Sequence, residues 1–489
     1  MTGEQIRSVV VAGASIVAWS AAAALKRRLP MLDVAVVAAP LPADALADRI
    51  QSTLPSIRGF HADLGLSEGD TVARAGSSFR LGTRFEGWVA GGAPYVHAYG
   101  DHGHSFGATS FHNLWLRAAK AGRAVAFDQY SPAAAMAKAG RFIHPQGEPN
   151  SPLAAFDYGL TIEPERYLGL MRAFARHVGV VAVRGALGGV RLRGDGFIEA
   201  LELDSGEAVG GDLFVDCTGP AAAVQSVLGG GWDDWARWLP CDRILIASAP
   251  PERDLPVLDE AVAFEAGWRW KSWGRTSASH GVVYASAHLS DDEAARLLGG
   301  GGDAISIRAG RRSEPWIRNC VAVGDAAVAI EPLEWTNLHL AHSAIDRIVD
   351  MMPGRDCAPV ELAEYNRQCA AEADRVRDFA ALHYLAAQRP EPFWREVAAT
   401  EPPATLAHTI GLFRDRGRLP FHEEETFARD SWLAVLIGQG VLPERVDPLV
   451  DLHDPATAEE AMERMRSVLS SMVAALPAHA DYLSSRGPR

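Results

Sequence analysis

Residues 8 to 38 read SVVVAGASIVAWSAAAALKRRLPMLDVAVVA, from Ser8 through the turn Gly13-Ala14-Ser15-Ile16-Val17-Ala18 to Ala38. Ser8 to Ala12 is a short, wholly apolar run of the kind that forms a buried strand, Trp19 to Arg28 is an alanine-rich helix, and Val34 to Val37 is a second strand. Strand, glycine turn, helix and strand within about 30 residues make the unit that cradles a dinucleotide, with the pyrophosphate at the helix N-terminus. That unit most often opens with Gly-x-Gly-x-x-Gly, and only Gly13 of the three glycines is present. Ser15 places a side chain where the backbone should approach the pyrophosphate, and Ala18 nearly satisfies the helix-packing position. Ala38-Ala39-Pro40 stands where an acid should hold the ribose hydroxyls. The residues therefore predict the fold of a nucleotide site with weakened contacts, and leave weak flavin binding and no nucleotide binding both open.

The bulk properties narrow the function classes. A chain of 489 residues with 48% hydrophobic content supplies a large core. A net charge of −14, from 47 basic against 61 acidic residues, argues against general affinity for nucleic acid or anionic lipid. Cys217, Cys241, Cys320, Cys357 and Cys369 are scattered without metal-ligand or disulfide spacing, so no metal is expected. No strongly basic start or apolar run of about 20 residues suggests a secretory signal or a membrane span. A cytoplasmic protein is expected.

A second stretch, Asn319 to Leu340, runs from an apolar strand at Cys320 to Val323 through Gly324-Asp325 and Glu331-Pro332-Leu333-Glu334-Trp335-Thr336-Asn337 into a helix beginning near Thr336. A helix start of this kind directs free N–H groups and the positive dipole end at an anion. The stretch resembles the place in flavin-dependent tryptophan halogenases where flavin and halide meet. The same family is suggested by Trp19 directly after the glycine turn, by Gln51-Ser52-Thr53-Leu54-Pro55, by the alternating strand expected over Gly76 to Phe85 with Phe79-Arg80 on it, by His104-Ser105-Phe106-Gly107 and by Gly267-Trp268-Arg269-Trp270-Lys271-Ser272-Trp273. The likeness covers nearly the whole chain.

The resemblance implies an α/β fold: a flavin-monooxygenase-like, FAD/NAD(P)-binding core over residues 1–352 and a helical region over 353–489 that covers the substrate chamber. Within the core, the FAD-binding part would be discontinuous, at about 1–60, 155–230 and 300–352, with a mixed substrate sheet interleaved at about 61–154 and 231–299. The long helix is expected over Pro359 to Leu385, and the glycine run 298–303 as a flexible loop. FAD, reduced by a separate flavin reductase and weakly bound, is the implied cofactor, together with a halide ion; the implied substrate is tryptophan, another aromatic small molecule or a peptide Trp. Residue by residue, the resemblance assigns Gly13, Ala14, Ser15, Trp19, Ser52, Thr53 and Asp325 to the flavin, and Thr336 and Asn337 to the halide. It assigns His104 and Phe106 to the substrate ring, and Arg80 and Glu334 to catalysis.

Several of these positions depart from the family. Arg80 stands where the family carries a lysine that presents the halogen, and a guanidinium has no amine lone pair and is effectively never deprotonated. Read locally, Arg80 is instead a sheet arginine paired with an acid such as Glu86. Trp335 replaces a small serine and is expected to crowd the halide, and Gln51 replaces a glutamate. Ser52 or Thr53 reads locally as a helix cap with Pro55 in the first turn. The departures at Ser15, Ala18, Ala38, Gln51, Arg80, Ser272 and Trp335 fall on flavin, relay and halide positions. They support a second hypothesis, a non-catalytic halogenase-like binding protein or partner of an active halogenase, with a homodimer also left open.

Overall fold

The computed structural model describes residues 4–148, 151–300, 302 and 304–485. Strand β1 (Ser8–Ala12), helix α1 (Ile16–Arg28) and strand β2 (Asp33–Ala38) form as the sequence predicts. β1 lies between β2 and strand Leu213–Asp216, parallel to both, and the parallel order continues through Cys320–Ala322. Eight strands complete this sheet, which extends past β2 through Val181–Leu192, Ile198–Leu203 and Ala208–Gly210. The hairpin expected over 190–203 is thus the far end of a longer strand beginning at Val181.

α1 is buried from Ile16 to Leu25. Its alanines let it lie close between the sheet and helices Pro164–His177 and Asn337–Asp350. The turn that launches it needs Gly13, whose φ of +138° favours glycine and whose absent Cβ would lie 2.8 Å from the Cys217 carbonyl oxygen. Ser15 is the N-cap, accepting the Ala18 N–H at 3.4 Å.

A seven-stranded sheet faces this core, in the order 305–306, 243–249, 278–284, 267–273, 258–264, β4 (Gly82–Glu86) and β5 (Tyr95–Ala98), where β3 is the short strand Ser78–Arg80 just before it. Strand Ile305–Ser306 belongs to this second sheet through Arg243 and Ile244, although its position in the chain falls in the expected flavin part. β3 pairs outside both sheets, antiparallel to Gly159–Thr161. Beyond residue 352 the described chain is helical: Pro359–Leu385, Pro392–Ala398, Ala404–Arg416, Arg429–Gly438, Pro455–Ala474 and His479–Ser485. These helices close over the second sheet with an aromatic core that includes Trp268, Trp270, Phe379, Trp394 and Trp432. The glycine run 298–303 lies partly outside the described residues.

Two local expectations are corrected. Ser52 and Thr53 cap no helix: Ser52 bridges to Thr161, and the Thr53 N–H and hydroxyl both bond the Leu160 carbonyl. α2 (Ile57–Leu64) starts only after Pro55 and Ser56, because extended pairing with residues 160–161 captures the backbone first. Arg80 does not pair with Glu86, which instead meets Arg84 at 2.7 Å on the same strand. Among the described residues, no helix is long and apolar enough to cross a membrane, and no cluster of His, Cys, Asp or Glu could hold a metal ion.

Candidate functional site

β3 carries Arg80 into the space between the two sheets, where it is only 1% exposed. Its Nε lies 2.8 Å from Asp259 Oδ2, an ion pair rather than an aligned hydrogen bond. One terminal nitrogen donates to the Thr53 carbonyl at 2.8 Å and to the Tyr99 hydroxyl, and the other to the Gly82 carbonyl at 3.2 Å and the Thr83 hydroxyl at 3.1 Å. Every face of the guanidinium is therefore committed to protein. Burial opposes its charge, but the Asp259 carboxylate and the Tyr99 oxygen outweigh that and strengthen its hold on the proton.

Glu334 lies close enough to add to the field at Arg80. Its carboxylate accepts His97 Nδ1–H at 2.8 Å and faces His383 Nε2 at 3.0 Å, all three side chains being fully buried. Burial alone would raise the Glu334 carboxyl, yet the two imidazoles more than offset this and hold it at about 2. The chain continues from His383 Nδ1 to the Tyr95 hydroxyl at 3.2 Å and from there to Gln439 at 3.0 Å. Glu334 and Trp335 both sit in the left-handed region, with φ of +66° and +61°. Two consecutive non-glycine residues there cost on the order of 1 kcal/mol or more each, strain that the surrounding core must impose.

That bend delivers Thr336 and Asn337 to the start of the helix Asn337–Asp350. The Asn337 amide donates to the Ile330 carbonyl at 2.8 Å, while Thr336 Oγ1 and Asn337 Oδ1 have no partner and no solvent-accessible surface. The Trp335 indole packs edge-on against Trp270 at 6.2 Å, and its N–H donates to Thr83 at 3.1 Å. The Thr336 hydroxyl is thus a free but sealed donor for a halide, while the free Asn337 oxygen is an acceptor that an anion does not pair with. Three residues before the bend, Glu331 is buried and pushed up to about 7, although the Tyr384 hydroxyl and Trp268 N–H donate to it.

The flavin positions divide. A cavity of about 840 Å³ opens at the α1 N-terminus, lined on one side by Ala14, Ser15, Asp48, Arg49 and Gln51 and on the other by the second sheet at Ile246, Ser248, Ser277 and Ser279. It lies outside the carboxyl ends of β1 and β2, where this topology binds nucleotides. Two buried atoms on its wall are unpartnered, Gln51 Oε1 and Arg49 Nε. A guanidinium with a spare donor, at a helix N-terminus in a cleft of ligand size, fits the phosphate of a nucleotide, and the spare Gln51 oxygen can accept from a nucleotide hydroxyl or N–H. Trp19, Ser52 and Thr53 are not on this wall; Trp19 is packed in α1 under Arg176, and Thr53 holds Arg80. Asp325 reaches the site indirectly, accepting the Ala47 N–H at 2.9 Å beneath the strap Leu46–Asp48, and burial pushes its carboxyl up to about 8.

His104 and Phe106 lie apart from Arg80 and Glu334. His104 lines an outer cavity of about 380 Å³ with Tyr130, Met465 and Leu469, while Phe106 packs edge-on to His453. The rings beside the buried pair are His97 and Tyr99, 5.8 Å apart, with Phe379 and Phe427 around His97. His97-Ala98-Tyr99-Gly100 is a second His-x-aromatic-Gly run, and that repeated pattern was the signal available in the sequence. Asp259, His383 and Asp48 carry no comparable local signal.

A family model described as tryptophan halogenase matches residues 8–455. The chain is 29% identical over 479 residues to the tryptophan 6-halogenase SttH of Streptomyces toxytricini, covering 90% of each protein. Among solved structures, it matches BrvH, a flavin-dependent halogenase from Brevundimonas sp. BAL3, with a TM-score of 0.94 and 36% identity, covering 99% of this chain and 100% of that one. Xcc4156, a flavin-dependent halogenase from Xanthomonas campestris, gives a TM-score of 0.93 and 34% identity over 99% of both chains. With a nucleotide cleft at α1, the Glu334 bend and these whole-chain matches, the chain belongs to the tryptophan halogenase family.

Proposed function

We propose that this protein keeps the flavin-nucleotide cleft of its family but does not carry out lysine-relayed halogenation, acting instead as a weakly flavin-binding, halogenase-fold protein. The observation that carries this reading is the commitment of Arg80 to Asp259, Thr53, Tyr99, Gly82 and Thr83. A residue presenting halogen to an aromatic carbon needs a donor free to face the oxidant, and a buried guanidinium with all its sides engaged offers none. The sealed Thr336 hydroxyl supports the same reading at the halide position.

In the cleft, the Gly13–Ile16 turn, Arg49 and Gln51 would hold the nucleotide, and the Ser277–Ser279 edge would cover it. A reduced flavin bound there, supplied by a separate reductase, brings the reducing equivalents that activate oxygen. The chain's own part is to bind, orient and exclude water. A role as partner of an active relative, or as a homodimer, fits the same cleft. One observation favours the alternative, an active halogenase: Glu334 remains ionised and aimed into the buried cluster beside Arg80.

The discriminating experiment supplies the protein with a flavin reductase, FAD, NADH, oxygen and bromide, and offers tryptophan, free indole and a Trp peptide. Mass spectrometry should find no brominated product beyond that made by leaked hypobromite, and Arg80→Lys alone should not change this. Robust regioselective product from the unmodified protein would overturn the proposal in favour of arginine as a working relay.

A further inference from the structure

α1 begins with two acceptors already at its N-terminus. Ser15 caps the Ala18 N–H, and Asp48 Oδ1 accepts the Val17 N–H at 3.1 Å, with the Ser15 hydroxyl and Ile16 N–H also facing the carboxylate. Ser15 satisfies the Ala18 N–H, a contribution of about 1 kcal/mol. Asp48 takes the Val17 N–H, one of the other orphan donors that a phosphate could take, at the cost of desolvating a carboxylate. Asp48 nevertheless lies on the wall of the 840 Å³ cleft, at the position where a dinucleotide of this topology places its pyrophosphate.

We propose that Asp48 is a built-in anion on the phosphate position, so that a flavin dinucleotide binds only when this carboxylate is protonated or withdrawn; the inference rests on the flavin cleft proposed above. The strap Leu46–Asp48 that carries it is pinned at Ala47 by Asp325. Removing the negative charge leaves the Arg49 guanidinium as the charged group on this wall beside the α1 N-terminus, a match for phosphate.

The groups around Asp48 set its titration. Burial pushes it up to about 6, against the α1 N–H groups, Ser15 and Arg49, which lower it. Asp44 precedes the strap and Asp325 lies beneath it, mostly protonated below its own value of about 8; Cys217 borders Asp48 from the end of strand Leu213–Asp216, and Glu163, Glu165 and Arg166 line the cleft. Dinucleotide affinity should therefore fall as pH rises through about 6. If only the protonated form is competent, apparent affinity weakens about thirtyfold between pH 5.0 and 7.5, in proportion to the protonated fraction.

The test titrates FAD and, separately, riboflavin, which lacks the pyrophosphate, into the wild-type protein and Asp48→Asn over that range, following flavin fluorescence. Asparagine keeps an acceptor for the Val17 N–H, and circular dichroism checks the fold. Wild-type FAD affinity should show the thirtyfold decline. Asp48→Asn should bind FAD at pH 7.5 as tightly as the wild type does at pH 5.0, and riboflavin should respond to neither pH nor substitution. Equal FAD affinity of the two proteins at pH 7.5, with riboflavin bound by both, overturns the role of Asp48 and leaves the cleft standing. Loss of both ligands from both proteins overturns the flavin reading itself, and a riboflavin response equal to that of FAD overturns the pyrophosphate assignment.

Discussion

Replacing Arg80 with methionine should be among the most destabilising single changes in the protein. Methionine fills similar volume but leaves Asp259, whose carboxyl burial raises even beside Arg80, fully buried without its cation, so that it either stays charged or must take up a proton, and strands the Thr53 and Gly82 carbonyls. Breaking one side of a buried ion pair costs about 3–5 kcal/mol, because the remaining charge is uncompensated. Coulomb attraction at 4 Å in an effective dielectric of 20 gives about 4 kcal/mol, the same scale. Against a total stability of about 5–15 kcal/mol, that loss is readily measured by urea unfolding. Asp259→Asn alone should cost less, since Arg80 keeps its other four acceptors. The double variant should cost at least about 2 kcal/mol less than the sum of the singles, because neither then leaves a buried charge alone. Additivity within about 0.5 kcal/mol, or an Arg80→Met cost below about 1 kcal/mol, would refute the view that Arg80 is held as a structural cation.

Three further outcomes concern the Thr336 cradle, the buried Asp325 beneath the cleft and the Glu334 cluster. Crystals soaked in bromide should show no anomalous peak at Thr336 and Asn337, whereas Trp335→Ser, by removing the indole bonded to Thr83, should admit the ion; a peak in the wild type sinks the sealed-cradle argument. Asp325, raised from 3.8 to about 8 by burial, favours the folded state most at low pH and loses that contribution as pH rises through about 8. Asp325→Asn should therefore gain stability over the wild type between pH 5 and 9, by at most about 4 kcal/mol, and an unchanged stability difference across that range would contradict this. Glu334, held at about 2, contributes stability above pH 4.5 that disappears as pH falls toward 2, so Glu334→Gln should lower stability at pH 7 and flatten the acid limb of the pH–stability profile; an unchanged limb counts against its pairing with His97 and His383.

The nucleotide fold was legible because its signal is local. An apolar strand, one obligatory glycine and an alanine-rich helix fix β1, α1 and β2 whatever the rest of the chain does, and the proline-started run Pro359–Leu385 reads as a helix for the same reason. The site was legible only where its chemistry follows the chain, as at the Glu334 to Asn337 bend. Arg80 was expected beside Glu86, but Gly82 turns the chain between them and puts them on different strands. Asp259 comes from a strand lying parallel to β4, with Asp259 opposite Thr83, and no short-range rule reports such a pairing. The two histidine-aromatic runs, at 97–100 and 104–107, differ in nothing that a local reading can weigh; burial against Phe379 and Phe427 is what distinguishes His97.

The geometry around residue 80 also explains why the arginine is difficult to reverse. A lysine ammonium has three donors, while five acceptors converge on the guanidinium: Asp259, Thr53, Tyr99, Gly82 and Thr83. Lysine at this position would leave two or more of them unpaired in a buried core, at about 1–3 kcal/mol each, and would still be drawn to Asp259 rather than toward an oxidant. Trp335 reinforces this, since its N–H shares the Thr83 hydroxyl with Arg80. Arg80, Asp259 and Trp335 thus form one interlocked arrangement, so on the function proposed above a single substitution would not restore a lysine relay, and at least the anion and the indole would have to change as well.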